Sequence, residues 1–215
     1  MFIEKIRMSY DPNTPIFTKE ILKLFPEYSR AQIFRLITNS IEKGELIKYS
    51  DGVYFMPTET IIGPSTINAD MVIEKKYLRD DENVYGIYGG IKLLNTFSIT
   101  TQMAGVIEVV TNNESTRRRE IMLKNRKYIL KQSKCQINKE NVGAYTIMEL
   151  FNECDLGEKI SDYSKKKIKD YANKMGTTKE QLLNISMFFP SKAIKNLLVN
   201  GVLNELWKIK ELKMI

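Results

Sequence analysis

The chain has 215 residues, 43% of them hydrophobic, which suits one large domain or two to three small ones able to bury a substantial core. It carries 33 Lys and Arg against 26 Asp and Glu, a formal charge of +7, and has no histidine, so any active site would fall to carboxylates, lysines, tyrosines or a cysteine without an imidazole partner. The amino-terminal MFIEKIRMSY lacks an apolar run long enough for a signal peptide, no stretch of about 18 consecutive apolar residues occurs, and Cys135 and Cys154 read as reduced thiols, so a cytoplasmic protein with no membrane partner is expected.

Taken in chain order, Thr18 is placed to cap a short helix over 19–25 that Pro26 terminates, and Ser29 to cap a second. In that second helix Ile33, Phe34, Ile37 and Ile41 recur at helical spacing and predict a core-facing side, with Gly44 as its stop. Residues 46–49 and 53–56 are β-prone and flank Ser50, Asp51 and Gly52, where Asp-Gly signals a tight hairpin. Helix, short connection, helix and hairpin together predict a winged helix-turn-helix over residues 1–60. At about 100° per residue, Gln32, Arg35 and Asn39 fall on the solvated side of the second helix. These three types can make paired hydrogen bonds to base edges in a DNA major groove, although any surface helix carries a polar face. The DNA-facing set is accordingly Ser29, Arg30, Gln32, Arg35, Asn39 and Lys43, with Lys48 in the wing.

A linker at 58–64 containing Gly63 and Pro64 marks a boundary. Beyond it, Ser65 or Thr66 caps a helix reaching Leu78, residues 84–88 form a strand, Gly89 and Gly90 a turn, and Ile91, Leu94 and Phe97 the buried side of a short helix. Residues 106–111 and 127–131 read as strands, and 117–123 is ambiguous. This alternation predicts a small central α/β domain over 61–140. The remaining 141–215 reads as a helical region: an amphipathic helix over 142–153, another around Ile168, Tyr171, Ala172 and Met175, a capping box from Thr178 and Gln181, a helix opened by Pro190 and Ser191 and stopped by Gly201, and a last one carrying Trp207. The fold class expected is α+β.

Charge is distributed unevenly. Residues 1–60 carry 8 basic and 8 acidic side chains, 61–115 carry 4 and 7, 116–140 carry 9 and 2, and 141–215 carry 12 and 9. Phosphate neutralisation supplies most non-specific DNA affinity, so a neutral reading head needs an anchor elsewhere. The candidates for phosphate or partner contact are Arg117, Arg118, Arg119, Arg126 and Lys127, the alternative being a solvated loop. Gly89 and Gly90 after a strand suggest the opening of a nucleotidyltransferase site, but Glu108 is the sole acid on the following strand, and the Glu108-Val109-Val110 run lacks the Glu-x-Lys of restriction-type nucleases. Two cysteines without histidine make no metal centre. Neither a catalytic residue nor a cofactor is expected.

The segments Ile41-Glu42-Lys43-Gly44-Glu45-Leu46, Gly52-Val53-Tyr54-Phe55-Met56-Pro57, Leu94-Asn95-Thr96-Phe97-Ser98-Ile99-Thr100-Thr101-Gln102 and Glu108-Val109-Val110-Thr111-Asn112, followed by Arg117, Arg118 and Arg119, occur in this order. In them the chain resembles the AbiEi family of antitoxins from bacterial type IV toxin-antitoxin (abortive infection) systems. In the family's central run, Phe97-Ser98-Ile99 replaces a leucine-glycine-leucine pattern and Met103-Ala104 replaces Val-Pro. The resemblance spans about 17–134, with a helical tail at Ala193-Ile194-Lys195-Asn196-Leu197-Leu198-Val199-Asn200-Gly201. It implies a non-enzymatic repressor that binds double-stranded operator DNA of its own operon and counteracts a co-encoded nucleotidyltransferase-like toxin. The alternatives from the residues are a transcription factor with a ligand-sensing second domain and a nucleic-acid processing enzyme built on the central domain.

Overall fold

In the computed structural model, residues 2–155 and 157–203 are described. The expected helix carrying Trp207 lies outside the described residues. The fold is mixed α+β, and the chain divides into two compact units, Met1–Lys75 and Lys76–Ile215.

The first unit runs α1 (Phe2–Ser9), β1 (Ile16–Phe17), α2 (Thr18–Leu24), α3 (Arg30–Glu42), β2 (Ile47–Ser50), β3 (Val53–Phe55), β4 (Glu59–Thr60), β5 (Gly63–Pro64) and α4 (Ala69–Ile73). β1, β3 and β2 form an antiparallel sheet in that order. Its core joins Ile6 of α1, Ile16 of β1, Ile21 and Phe25 from α2 and its exit, Ile33 and Ile37 of α3, and Leu46, Tyr54 and Met56 around the hairpin. These are long apolar side chains at helical spacing on three helices, so the helices close over one face of the small sheet.

Local chemistry sets the boundaries. Ser29 caps α3 through a reciprocal box, its hydroxyl accepting the Gln32 N–H at 3.3 Å while Gln32 Oε1 accepts the Ser29 N–H at 2.8 Å. α2 begins differently from the expectation. Glu20 accepts the Phe17 N–H at 2.7 Å, and Thr18 instead donates its N–H to the Gly52 carbonyl at 2.9 Å, joining α2 to the hairpin turn. Gly52 itself has φ of +72°, a left-handed conformation that the turn requires and that glycine adopts without steric cost.

Two expectations change here. The linker at 58–64 is a hairpin, with the Thr60 hydroxyl donating to the Gly63 carbonyl at 2.5 Å and Ile61 and Ile62 wholly exposed at its tip. The single helix expected up to Leu78 is a five-residue α4 capped by Asn68, whose side chain accepts the Met71 N–H at 2.9 Å, followed by a π-helical turn, Glu74–Leu78. The division between the units falls inside this turn. A π turn places an extra residue per turn and shifts the face presented, here burying Tyr77 and Leu78.

The second unit runs β6 (Gly86–Gly89), α5 (Gly90–Thr96), β7 (Ile107–Thr111), β8 (Arg119–Leu123), β9 (Arg126–Gln132), α6 (Val142–Glu153), α7 (Asp162–Lys174), α8 (Lys179–Ser186) and α9 (Ser191–Val199). The sheet order is β6-β7-β9-β8, with β7 and β9 parallel and the outer pairs antiparallel. One core runs from Ile87, Leu93 and Phe97 through Tyr145, Ile147 and Phe151 to Ile168, Leu182, Leu197 and Val202. The segments 61–140 and 141–215, read apart from the sequence, thus share this core over 76–203. Its centre is α6, buried at every position from Val142 to Phe151 rather than on one side only. A helix apolar nearly all round belongs inside a unit, with other elements packed on it.

Candidate functional site

On the first unit, α3 buries Ile33, Ile37 and Ser40 and turns Arg30, Gln32, Phe34, Arg35, Thr38 and Asn39 outward. Phe34, expected in the core, is 37% exposed, and the Arg30 guanidinium lies 5.6 Å from its ring centre. The Thr38 hydroxyl bonds back to the Phe34 carbonyl at 3.0 Å. Among the described residues, no hydrogen bond or ion pair occupies the side chains of Arg35 and Asn39. Ser29 and Gln32 are occupied in the cap, although the Gln32 amide nitrogen remains available as a donor. Lys43 sits at the opposite end of α3, beside Arg7 and Glu45 in a shallow depression of about 350 Å³. Lys48 is ion-paired with Asp51 across the hairpin turn at 2.7 Å, a contact that raises the lysine pKa and lowers that of the aspartate. Both partners are solvated, so the pair exchanges readily for a phosphate. Phe34 and Thr38 join the outward face unforeseen, because periodicity alone assigned Phe34 to the apolar stripe.

The basic segment of the second unit is less available than its composition suggests. Arg119 forks onto Glu114 with Nε and Nη2 at 2.8 and 2.7 Å from Oε2. Glu114 Oε1 accepts from the N–H groups of Ser115 and Thr116 and from the Thr116 hydroxyl. Arg118 and Lys127 both pair with Glu120, at 2.9 and 2.6 Å. Arg126 opens β9, in register with Leu123. Arg117 is exposed, and no described residue partners it.

Burial alone would push the Glu114 carboxyl up; the hydrogen bonds from Thr116 and Arg119 overcome it and hold the pKa below the ordinary carboxylate value. A folded-state pKa lowered in this way contributes stability that is full above the unfolded value of about 4.3 and is lost as pH falls through the folded value. Glu114→Gln is therefore expected to be less stable than the parent at neutral pH, with the gap closing at pH values below about 4. Urea titrations across that range check it; a gap independent of pH would assign the loss to packing.

Behind this segment, two lysines and three carboxylates converge. Lys131 of β9 lies 2.5 Å from Glu108 of β7 and 3.5 Å from Glu153 of α6, and Lys134 lies 2.6 Å from Glu149 of α6. Burial raises the Glu153 pKa against the opposing pull of Lys131. Gly90, with φ of +54°, lies so close to Glu108 that a Cβ there would sit 2.8 Å from Oε2. The carboxylate beside the Gly-Gly turn thus faces an ammonium. Thr100, Thr101 and Gln102 lie in a stretch of irregular backbone, the Gln102 N–H donating to the Thr100 hydroxyl at 3.2 Å. Cys135 and Cys154 are unpaired, and burial pushes the Cys154 thiol up to about 12. Among the described residues no group of three or more Cys, Asp or Glu could hold a metal ion, and no described helix is long and apolar enough to cross a membrane. No protein-family model, curated protein or solved structure matches the chain.

Proposed function

We propose that the chain is a DNA-binding regulator of antitoxin type, whose first unit is a winged helix-turn-helix. The observation that carries this reading is the outer face of α3, where Arg35 and Asn39 are unoccupied, Arg30 lies near one end and Lys43 at the other. The order helix, strand, helix, helix, strand, strand supports it, with α2 and α3 as the helix pair and β2–β3 as the wing. In this reading Arg35 and Asn39 read base edges, the free amide nitrogen of Gln32 adds a donor, and Arg30, Lys43 and Lys48 contact phosphates. Repression of its own operon and the counteraction of a nucleotidyltransferase-like toxin rest on the resemblance over 17–134. Co-expression with the adjacent gene, scored for growth, tests that part. No rescue would leave a transcription factor whose second unit senses a ligand.

The DNA reading has its own test. Arg35→Ala is expected to weaken discrimination between operator and scrambled duplex by about 1–3 kcal/mol, measured by fluorescence anisotropy; unchanged selectivity would sink the assignment. Alanine at Arg117, Arg118 and Arg119 together should lower the salt-dependence slope by about one to two units, because Arg119 is held by the buried Glu114 whereas Arg117 is unpartnered among the described residues and the pair of Arg118 with Glu120 is solvated. A drop near three would mean that the Arg119–Glu114 pair also opens on DNA.

A further inference from the structure

An open cavity of about 710 Å³ lies in the second unit, within the size range of small-molecule sites. Its floor is Lys131 and Gln132 of β9, one wall is Glu149, Asn152 and Glu153 of α6, and Arg117 and Arg118 stand on the loop that leads into β8. Folding alone does not account for that wall. α6 is otherwise the apolar centre of the unit, and Glu149, 1% exposed, is compensated by Lys134. A buried ion pair contributes little net stability compared with apolar side chains of the same volume. At spacing i, i+3, i+4, the three polar residues make one stripe along the cavity, Glu149 buried and Asn152 and Glu153 half-buried.

The chemistry of the lining is two-sided. Lys131 and Lys134 are committed to the carboxylates and fix their positions, whereas Arg117 is unpartnered among the described residues and Arg118 shares Glu120 with Lys127 at a solvated site. The mouth therefore offers guanidinium forks for a phosphate. The wall and floor offer carboxylate and amide groups for hydroxyls and ring nitrogens: a carboxylate suits a ribose diol, and Asn or Gln suits a base edge. A ligand that carries phosphate at one end and a hydroxyl-rich, hydrogen-bonding body at the other satisfies both sides. We infer that this cavity is a nucleotide-binding site, with Arg117 and Arg118 on the phosphate and Glu153, Asn152 and Gln132 on the nucleoside.

Neither DNA nor a partner protein is needed for the test, so its outcome is separate from that of the regulator reading. The full chain is titrated calorimetrically with ATP, GTP, CTP and UTP, with the matching nucleosides, and with inorganic phosphate. Saturable binding of at least one nucleotide at one per chain is expected, with its nucleoside and inorganic phosphate each at least tenfold weaker. Arg117→Ala combined with Arg118→Ala should weaken nucleotide binding tenfold or more. Glu153→Gln should weaken it while leaving any binding of inorganic phosphate unchanged, and circular dichroism melting verifies that each variant is folded. Absence of saturable binding across the panel overturns the inference. So does inorganic phosphate binding as tightly as the nucleotides, which would reduce the cavity to a plain anion site, or a folded double arginine variant that binds nucleotide as the parent does.

Discussion

Replacing Lys134 by methionine should destabilise the second unit by about 3–5 kcal/mol. Glu149 is 1% exposed, and its charge is compensated by the Lys134 ammonium at 2.6 Å, with a longer hydrogen bond from Asn152 at 3.3 Å. Removing the ammonium leaves a carboxylate on a buried helix, where desolvation of an unpaired charge is costly. Methionine keeps the length of the side chain, and its sulfur can retain the contact that the ammonium makes with the Phe189 ring at 4.7 Å, so lost packing is a minor part of the effect. Urea unfolding of the full chain, followed by circular dichroism, reads the loss. The double variant Lys134→Met with Glu149→Met should regain most of it, since two apolar side chains replace the pair. A single-variant loss below about 1 kcal/mol would mean that water reaches the carboxylate and solvates it.

This pair also shows which features could be read from the sequence. Helix ends and hairpin turns are written in a few adjacent residues: Ser29 before α3, Asp51-Gly52 between β2 and β3, and Thr178 with Gln181 at α8 lie where capping and turn chemistry put them, and α6 spans the residues expected although it is buried on all sides. Remote pairing has no such local signal. β7 pairs in parallel with β9 while β8 turns outward, and only that arrangement brings Glu108 to Lys131. Likewise, Arg119 counted as free charge until the chain around Glu114 folded onto it. Gln32 illustrates a different limit. Its position on the outer face and its place in a Ser-x-x-Gln capping box are both written in the sequence, but the cap turns the amide oxygen back to the Ser29 N–H, an orientation that competes with a paired contact to a base edge. The candidate reading face was legible as a face, whereas the distribution of free and occupied groups on it depended on geometry.

The second large effect is expected at Asn196, where substitution by leucine should cost about 2–4 kcal/mol. Asn196 is wholly buried on α9, and its amide nitrogen donates to the carbonyls of Phe151 and Cys154 at 3.0 and 3.2 Å, while its oxygen accepts the Gly157 N–H at 2.8 Å. Carbonyls at the end of a helix have no partner within the helix, and α6 ends inside the core, where water does not replace the amide. Leucine fills the same space and leaves both carbonyls unsatisfied; the exposed Gly157 N–H can turn to solvent. Asn196→Asp should be at least as damaging, because it directs a carboxylate at two carbonyls. One turn later, Asn200 accepts the Ile160 N–H at 2.9 Å and donates to Glu158, continuing the same row. Thermal melts of the Asn196 variants, compared with Asn200→Ala, measure both contributions. Since α6 carries Glu149 and Glu153 in its last turns, loosening its carboxyl end should also weaken nucleotide binding in any Asn196 variant that remains folded, and undiminished binding there would show that the wall is held by the sheet side alone.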